Sequence, residues 1–212
     1  MLDRAWCAVV ITAAGASSRM GRPKALVDWH DQPLLLHQLA AFEGFGQRIV
    51  VLGASAEHIL ETLAFPGDTD IVVNPDWEAG RSGSLRRAFA NVKPSAKAVV
   101  VVAVDQPVEP EVVDALLAAF DPGRHAYAVP VTVGRRGHPL LLSGVLADSV
   151  RRFGDSESLR DLTHRYADSA MLVPVDSRSC VLDLNTPQDL ALATATDPVT
   201  VTGPVSDTMT HG

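Results

Sequence analysis

The stretch "KAVVVVAV" (97–104) has no polar residue after its lysine and no alternation of apolar with polar positions. A strand with one wet face alternates, so an unbroken apolar run of this kind reads as a strand covered on both faces. The pattern recurs in "AVVIT" (8–12), "RIVVLG" (48–53) and "DIVVN" (70–74). Between these runs lie "PLLLHQLAAFEGFG" (33–46), "ASAEHILETLA" (54–64) and "SGSLRRAFANV" (82–92), whose apolar residues return at helical spacing. "EPEVVDALLAAFDPG" (109–123) is a further helix, with acids in its first turn and a Pro-Gly stop. Strands alternating with helices predict an α/β fold: a doubly wound, mainly parallel sheet with helices on both faces.

The second half is less regular. Strands are expected at 125–133 and 138–144 around the turn "GRRG", helices near 144–153 and 156–167, and strands at 170–175 and 180–184. A last helix is expected over 186–195, with Thr186 as cap and Pro187 at its first position. The length of 212 residues suits one domain, placed at 1–195, and a chain of this size buries roughly 70% of its unfolded surface. Residues 196–212 are polar and are expected to form a flexible tail.

Composition narrows the function. A net charge of −7 argues against a nucleic-acid partner, which would meet a basic face. No run approaches the roughly 18 apolar residues of a membrane span. Two cysteines, Cys7 and Cys180, make neither a disulfide framework nor a metal-ligand spacing. No signal peptide is read at the start, so a cytoplasmic location is expected.

The first strand feeds "ITAAGASSRMGRPKAL" (11–26). In an open α/β sheet, ligands bind at the carboxyl ends of strands near a topological switch point. Ala13, Ala14, Gly15, Ala16, Ser17 and Ser18 are all small, so backbone N–H groups can approach an anion and form a nest for it. Arg19 then offers a planar fork to phosphate oxygens and Lys24 a mobile point charge. The spacing is not that of a Walker A loop, and Gly-x-Gly-x-x-Gly is absent. A phosphate chain is the expected ligand. Asp105 leaves the end of "AVVVVAV", where a carboxylate could hold Mg²⁺. Asp183, in "VLDLNTP", is free of the capping role that Thr186 fills.

These residues carry a resemblance. The loop resembles the "LAAG-x-S-x-RMG-x-x-K" signature of a nucleotidyltransferase family and is most similar to that of the molybdenum cofactor cytidylyltransferases and their relatives. "NPDWEAGRSGSLRRAF" (74–89), "VDQP" (104–107), "GRRGHPLLL" (134–142) and "LDLNTPQDL" (182–190) resemble further family segments in the same order, so that the likeness spans about 7–193. Val104 stands where the family has Cys, and Asn185 where it has Asp. The resemblance implies an α/β nucleotidyltransferase that joins a nucleoside triphosphate to a phosphorylated acceptor and releases pyrophosphate.

Residue by residue, the resemblance implies that Ala13, Ala14, Gly15, Ala16, Arg19 and Lys24 meet the triphosphate, that Gly80, Ser82 and Ser84 lie near the base, and that Asp105 and Asp183 hold Mg²⁺. It puts His138 on the acceptor side. Arg135 and Arg136 beside it either meet the acceptor phosphate or are simply solvated. Arg19, Lys24 and Asp105 form the catalytic set. The implied acceptor is molybdopterin in its molybdenum-bearing form, with a client molybdoenzyme as a further partner. CTP is favoured over GTP because guanylyltransferases of this fold tend to read "AGG" where this chain reads "AAG". The alternatives are a guanylyltransferase, a sugar- or polyol-phosphate nucleotidyltransferase and, outside enzymes, a cofactor carrier. Removing residues 197–212 is expected to leave melting temperature and turnover unchanged, which calorimetry and assay of the truncated chain check.

Overall fold

The computed structural model describes residues 1–196 and arranges the apolar runs as the core strands of one mixed sheet. In chain order the elements are β1 (Cys7–Ala13), a small hairpin of β2 (Asp28–Trp29) and β3 (Gln32–Pro33), α1 (Leu34–Ala41), β4 (Gln47–Leu52), α2 (Ala56–Thr62), β5 (Thr69–Val73), α3 (Arg81–Ala90), β6 (Ala98–Ala103) and α4 (Pro110–Ala119). There follow β7 (Tyr127–Thr132), β8 (Arg135–Arg136), β9 (Leu140–Ser143), α5 (Gly144–Arg151), α6 (Leu159–Arg165), β10 (Ala170–Pro174) and α7 (Pro187–Thr196). The tail expected over 196–212 lies, from 197 onward, outside the described residues.

The sheet order is β10–β7–β9–β6–β1–β4–β5, with β8 attached to β7. β1 pairs in parallel with β4 on one side and β6 on the other. β4 pairs in parallel with β5, and β7 with β10. Only β9, between β6 and β7, and the short β8 run against their neighbours. The chain winds outward from β1 through β4 and β5, then returns to place β6 on the other flank. The carboxyl ends of β1 and β6 therefore form the switch point where such sheets bind ligands.

The unbroken apolar runs have a direct cause. Cys7, Val9 and Ile11 of β1 face one core with Leu35 and Leu39 of α1 and Val113 and Leu116 of α4. Ala8 and Val10 face the other, with Leu85 and Phe89 of α3 and Leu146 and Val150 of α5. Alternate side chains thus enter two separate layers, and neither face of the strand meets water. Each fully buried Val or Leu contributes about 1.5–3 kcal/mol relative to exposure.

Three differences from the sequence reading have local causes. "CVLDL" (180–184) is not a strand: Ser179–Val181 is a 3₁₀ turn, and the backbone beyond it bonds to loops instead of a ladder. The hairpin β2–β3 turns through His30 and Asp31, both at positive φ, where sequence normally signals with Asn-Gly or Asp-Gly. The turn assigned to "GRRG" is made by Val133 and Gly134 at φ 48° and 71°, which leaves Arg135 and Arg136 to pair as β8. Among the described residues no helix is long and apolar enough to cross a membrane.

Both cysteines are buried and free. Burial, with Asp3 adding to it, pushes the Cys7 thiol up to about 12 from its ordinary 9.0, and burial raises Cys180 too. The unfolded chain ionises these thiols first, so stability is intact below pH 9.0 and is lost as pH climbs toward about 12. At pH 8 neither thiol is expected to react with iodoacetamide until denaturant is added, which mass spectrometry of alkylated protein checks.

Candidate active site

A cleft of about 520 Å³ opens at the switch point. Its floor is the ends of β1 and β6, and it is bordered by Ala13 at the end of β1 and by Ala14, Gly15, Ser17 and Ser18 of the loop that follows. The loop is tethered to its surroundings. Met20 is buried, its N–H reaches the Ser17 carbonyl at 2.9 Å, and the Lys24 amide donates to Ser17 Oγ at 3.1 Å. A Cβ built on Gly15 would meet no protein atom within 4 Å, so protein packing does not demand glycine there, and its bare backbone faces the cleft. Ala16 does not border the cleft.

Lys24 is the electrostatic centre. Its Nζ lies 2.6 Å from Asp105 Oδ2 and donates to Asn185 Oδ1 at 3.0 Å. The two charged side chains are only 12% and 14% exposed, so the pair sits largely out of water, where attraction is weakly screened. Arg19 Nη2 donates to the same Asn185 oxygen at 3.1 Å. One neutral amide thus draws both loop cations to a common point without cancelling either charge. Asn185 is held in turn by Asp189, whose Oδ2 accepts from the amides of Asn185 and Thr186 at 3.1 and 2.8 Å. Thr186 Oγ1 accepts from the Asp189 amide at 3.2 Å, completing a reciprocal cap on α7. The hydrogen bond from the Thr186 side chain, then its backbone, holds the Asp189 carboxyl below the usual carboxylate range.

Asp105 emerges just past β6. Its carbonyl accepts from the Leu184 amide at 2.8 Å, and Gln106 Nε2 donates to Asp183 Oδ1 at 2.9 Å. Asp183 is exposed and lies outside the cleft lining, while Gln106 borders the cleft. On the opposite wall, Gly80, at φ 114°, and the buried Ser84, which accepts from Asn74 Nδ2 at 2.9 Å, line the cleft. Ser82 does not: its hydroxyl donates to the Glu157 carbonyl. Trp77, Glu78 and Arg81 also border the cleft; they lie inside the 74–89 segment that carries the resemblance but were not singled out in it. Arg135 and Arg136, expected either to meet the acceptor phosphate or to be solvated, are exposed on β8 and lie outside the cleft lining.

His138 does border the cleft. The preceding Gly137 packs where a Cβ would collide with the Cys180 backbone, and the His138 amide donates to the Cys180 carbonyl at 2.7 Å. The turn at 179–181, misread as a strand, is what seats this loop.

A doubly wound sheet with a small-residue loop, two cations and a carboxylate at its switch point defines an α/β nucleotidyltransferase. The chain belongs to the MobA-like NTP transferase domain family, whose model matches residues 9–170. It is 32% identical over 197 residues to a molybdenum cofactor guanylyltransferase of Xanthomonas euvesicatoria pv. vesicatoria, covering 88% of this chain and 93% of the relative. It is 26% identical to a molybdenum cofactor cytidylyltransferase of Escherichia coli, over 87% of this chain and 93% of the relative. A crystal structure of Rv0371C from Mycobacterium tuberculosis H37Rv in complex with manganese superposes with a TM-score of 0.72 at 28% identity, covering 90% of this chain and 99% of that one.

Burial pushes the His138 imidazole below its ordinary 6.5, against upward pulls from Asp183, the Ser179 backbone and Asp105. The folded state therefore binds this proton less readily than the unfolded chain. Its stability is full above pH 6.5 and is lost as pH falls below it. The His138 ring resonances are expected to titrate with a midpoint under 6.5, and acidification is expected to lower the melting temperature less in His138→Gln than in wild type.

Proposed function

We propose that this protein transfers a nucleoside monophosphate from a nucleoside triphosphate to the phosphate of a molybdopterin-type acceptor. The observation that carries the reading is the convergence of Arg19, Lys24 and Asp105 around Asn185 beside the bare loop at residues 13–18. In the proposed reaction an acceptor phosphate oxygen attacks the α-phosphorus, the bond from that phosphorus to the α–β bridging oxygen breaks, and pyrophosphate leaves. The loop amides cradle the phosphate chain, and Arg19 and Lys24 neutralise charge that builds on the leaving group. Holding acceptor and nucleotide in one cleft supplies the orientation.

The oxygen donors fit a hard divalent cation. Among the described residues no cluster of three or more His, Cys, Asp or Glu forms a closed metal cage. Asp105 and Asp183 supply carboxylate oxygens, and Mg²⁺ is bound through one or two carboxylates while water and substrate phosphates complete its shell. Asp105 would hold it, with Asp183 as the second carboxylate on an adjoining segment. When bound, the metal supplies charge neutralisation on the phosphate oxygens. The manganese complex of Rv0371C supports this reading.

For the nucleobase, most of the curated relatives are named guanylyltransferases, which supports GMP transfer. Cytidylyl transfer, favoured in the sequence, is a second reading. It rests on Ala14, which borders the cleft at the position where guanylyltransferases of this fold tend to carry glycine. Pyrophosphate release with GTP and CTP, each titrated calorimetrically, separates the two, and a carrier would release none.

Arg19→Ala and Lys24→Ala are each expected to weaken triphosphate use about ten- to a hundredfold, since a hydrogen bond to a charged group contributes about 1.5–3 kcal/mol. The monophosphate, lacking the outer phosphates, is expected to lose far less. Equal triphosphate affinity in wild type and both variants would show that the loop is no phosphate cradle.

A further inference from the structure

Three backbone carbonyls, those of Ala103, Val104 and Gln106, converge on the end of one side chain. Gln38, on α1, is fully buried, and its Nε2 lies 3.0, 3.4 and 2.7 Å from these oxygens. Its Oε1 is buried as well and has no hydrogen-bond partner among the described residues. An apolar residue at this core position would avoid burying an unpaired oxygen, so the amide must be explained by what its other end holds. What it holds is the loop that carries Asp105 out of β6.

A second glutamine extends the linkage. Gln106 Oε1 accepts from the Ala103 amide at 3.3 Å, and its Nε2 donates to Asp183 Oδ1 at 2.9 Å. The Asp105 carbonyl accepts from the Leu184 amide at 2.8 Å. A continuous path therefore runs from the buried face of α1 through the 103–106 backbone to both carboxylate-bearing segments.

We propose that Gln38 is a positioning residue for the Asp105 and Asp183 carboxylates, with Gln106 as the strut that sets their spacing. Gln38 touches neither carboxylate and acts through the backbone of 103–106. The proposal rests on the reading that these carboxylates hold the metal. Without the Gln38 amide, the Val104 and Gln106 carbonyls lose its donation, while the Ala103 carbonyl keeps the Gln106 amide at 3.0 Å, and the loop no longer holds Asp105 at a fixed spacing from Asp183. Metal binding then suffers, while the phosphate loop after β1, seated by Ser17 and Met20, keeps its grip on nucleotide.

The test uses Gln38→Leu and Gln106→Leu in the full chain. Gln106→Leu leaves its own backbone carbonyl and the Gln38 contacts in place and removes the strut together with the acceptor of the Ala103 amide. Mn²⁺ affinity of the nucleotide-free protein is read by water-proton relaxation. The Mg²⁺ requirement is read from pyrophosphate release, nucleotide affinity by calorimetry in EDTA, and folding by thermal melting. Residues supporting metal ligands typically tune affinity ten- to a hundredfold, so about tenfold weaker Mn²⁺ binding and an about tenfold higher Mg²⁺ requirement are expected in both variants, with metal-free nucleotide affinity unchanged. Folded variants with wild-type Mn²⁺ affinity, or with parallel losses of metal and metal-free nucleotide binding, overturn the proposal. If Gln38→Leu does not fold, Gln106→Leu decides by the same readouts. If wild type needs no metal, or Asp105→Asn binds Mn²⁺ as well as wild type does, the metal reading itself fails, and the proposal with it.

Discussion

The parallel register of β1 against β6, with Thr12 opposite Ala103, decides where the chemistry lies. It brings two strands to the same edge of the sheet at the same height. The next few residues of each, a small-residue loop on one and Asp105 on the other, then share a wall. Lys24 spans the gap between them, 81 residues away in sequence from the carboxylate it meets. A slip of one residue in this pairing would turn the side chains of β1 to the wrong layers and lift the loop away from Asp105. The apolar runs resist such a slip because both faces are committed to packing.

Around that junction the molecule uses neutral groups to arrange charged ones. Asn185 gathers Arg19 and Lys24 through one amide oxygen, where a carboxylate would have offset their charge. Gln106 joins the loop of Asp105 to Asp183, and Gln38 meets the same loop from beneath. Lys24 is offset by Asp105, and Arg19 meets only the neutral Asn185 amide at this junction, while amide side chains fix the geometry. The fold contributes only the scaffold for this, and the same kind of sheet would serve other chemistry with other loops.

What was legible in the sequence followed from local pattern. Strands such as Ala98–Ala103 were legible because unbroken valines admit few other readings, and Asp105 because it directly follows such a run. Arg19 and Lys24 stood out against small neighbours. The cap of Thr186 on α7 could be read from three residues. The remainder depends on partners distant in sequence. Asn185 stood out only as a departure from the family's Asp, and nothing near it announces that it meets Arg19 and Lys24. Ser82 looks like Ser84 in the chain, yet its hydroxyl turns to the Glu157 carbonyl. Arg135 and Arg136 precede His138 in sequence, but the turn at Val133 and Gly134 folds them back along β7. Residues 180–184 have strand composition and no strand to pair with.

The reversed direction of β9 bears on how two sides of the cleft are joined. β6 delivers Asp105 from its carboxyl end. The same strand holds β9 alongside it, with Val101 paired to Leu140 and Ala98 to Ser143. His138 lies just before that ladder begins. The segments bearing Asp105 and His138 are thus joined through one ladder. Asp105 and His138 are thereby anchored to neighbouring strands of one sheet, so that their separation is set by the β6–β9 register, while Trp77 and Gly80 border the cleft from outside that ladder.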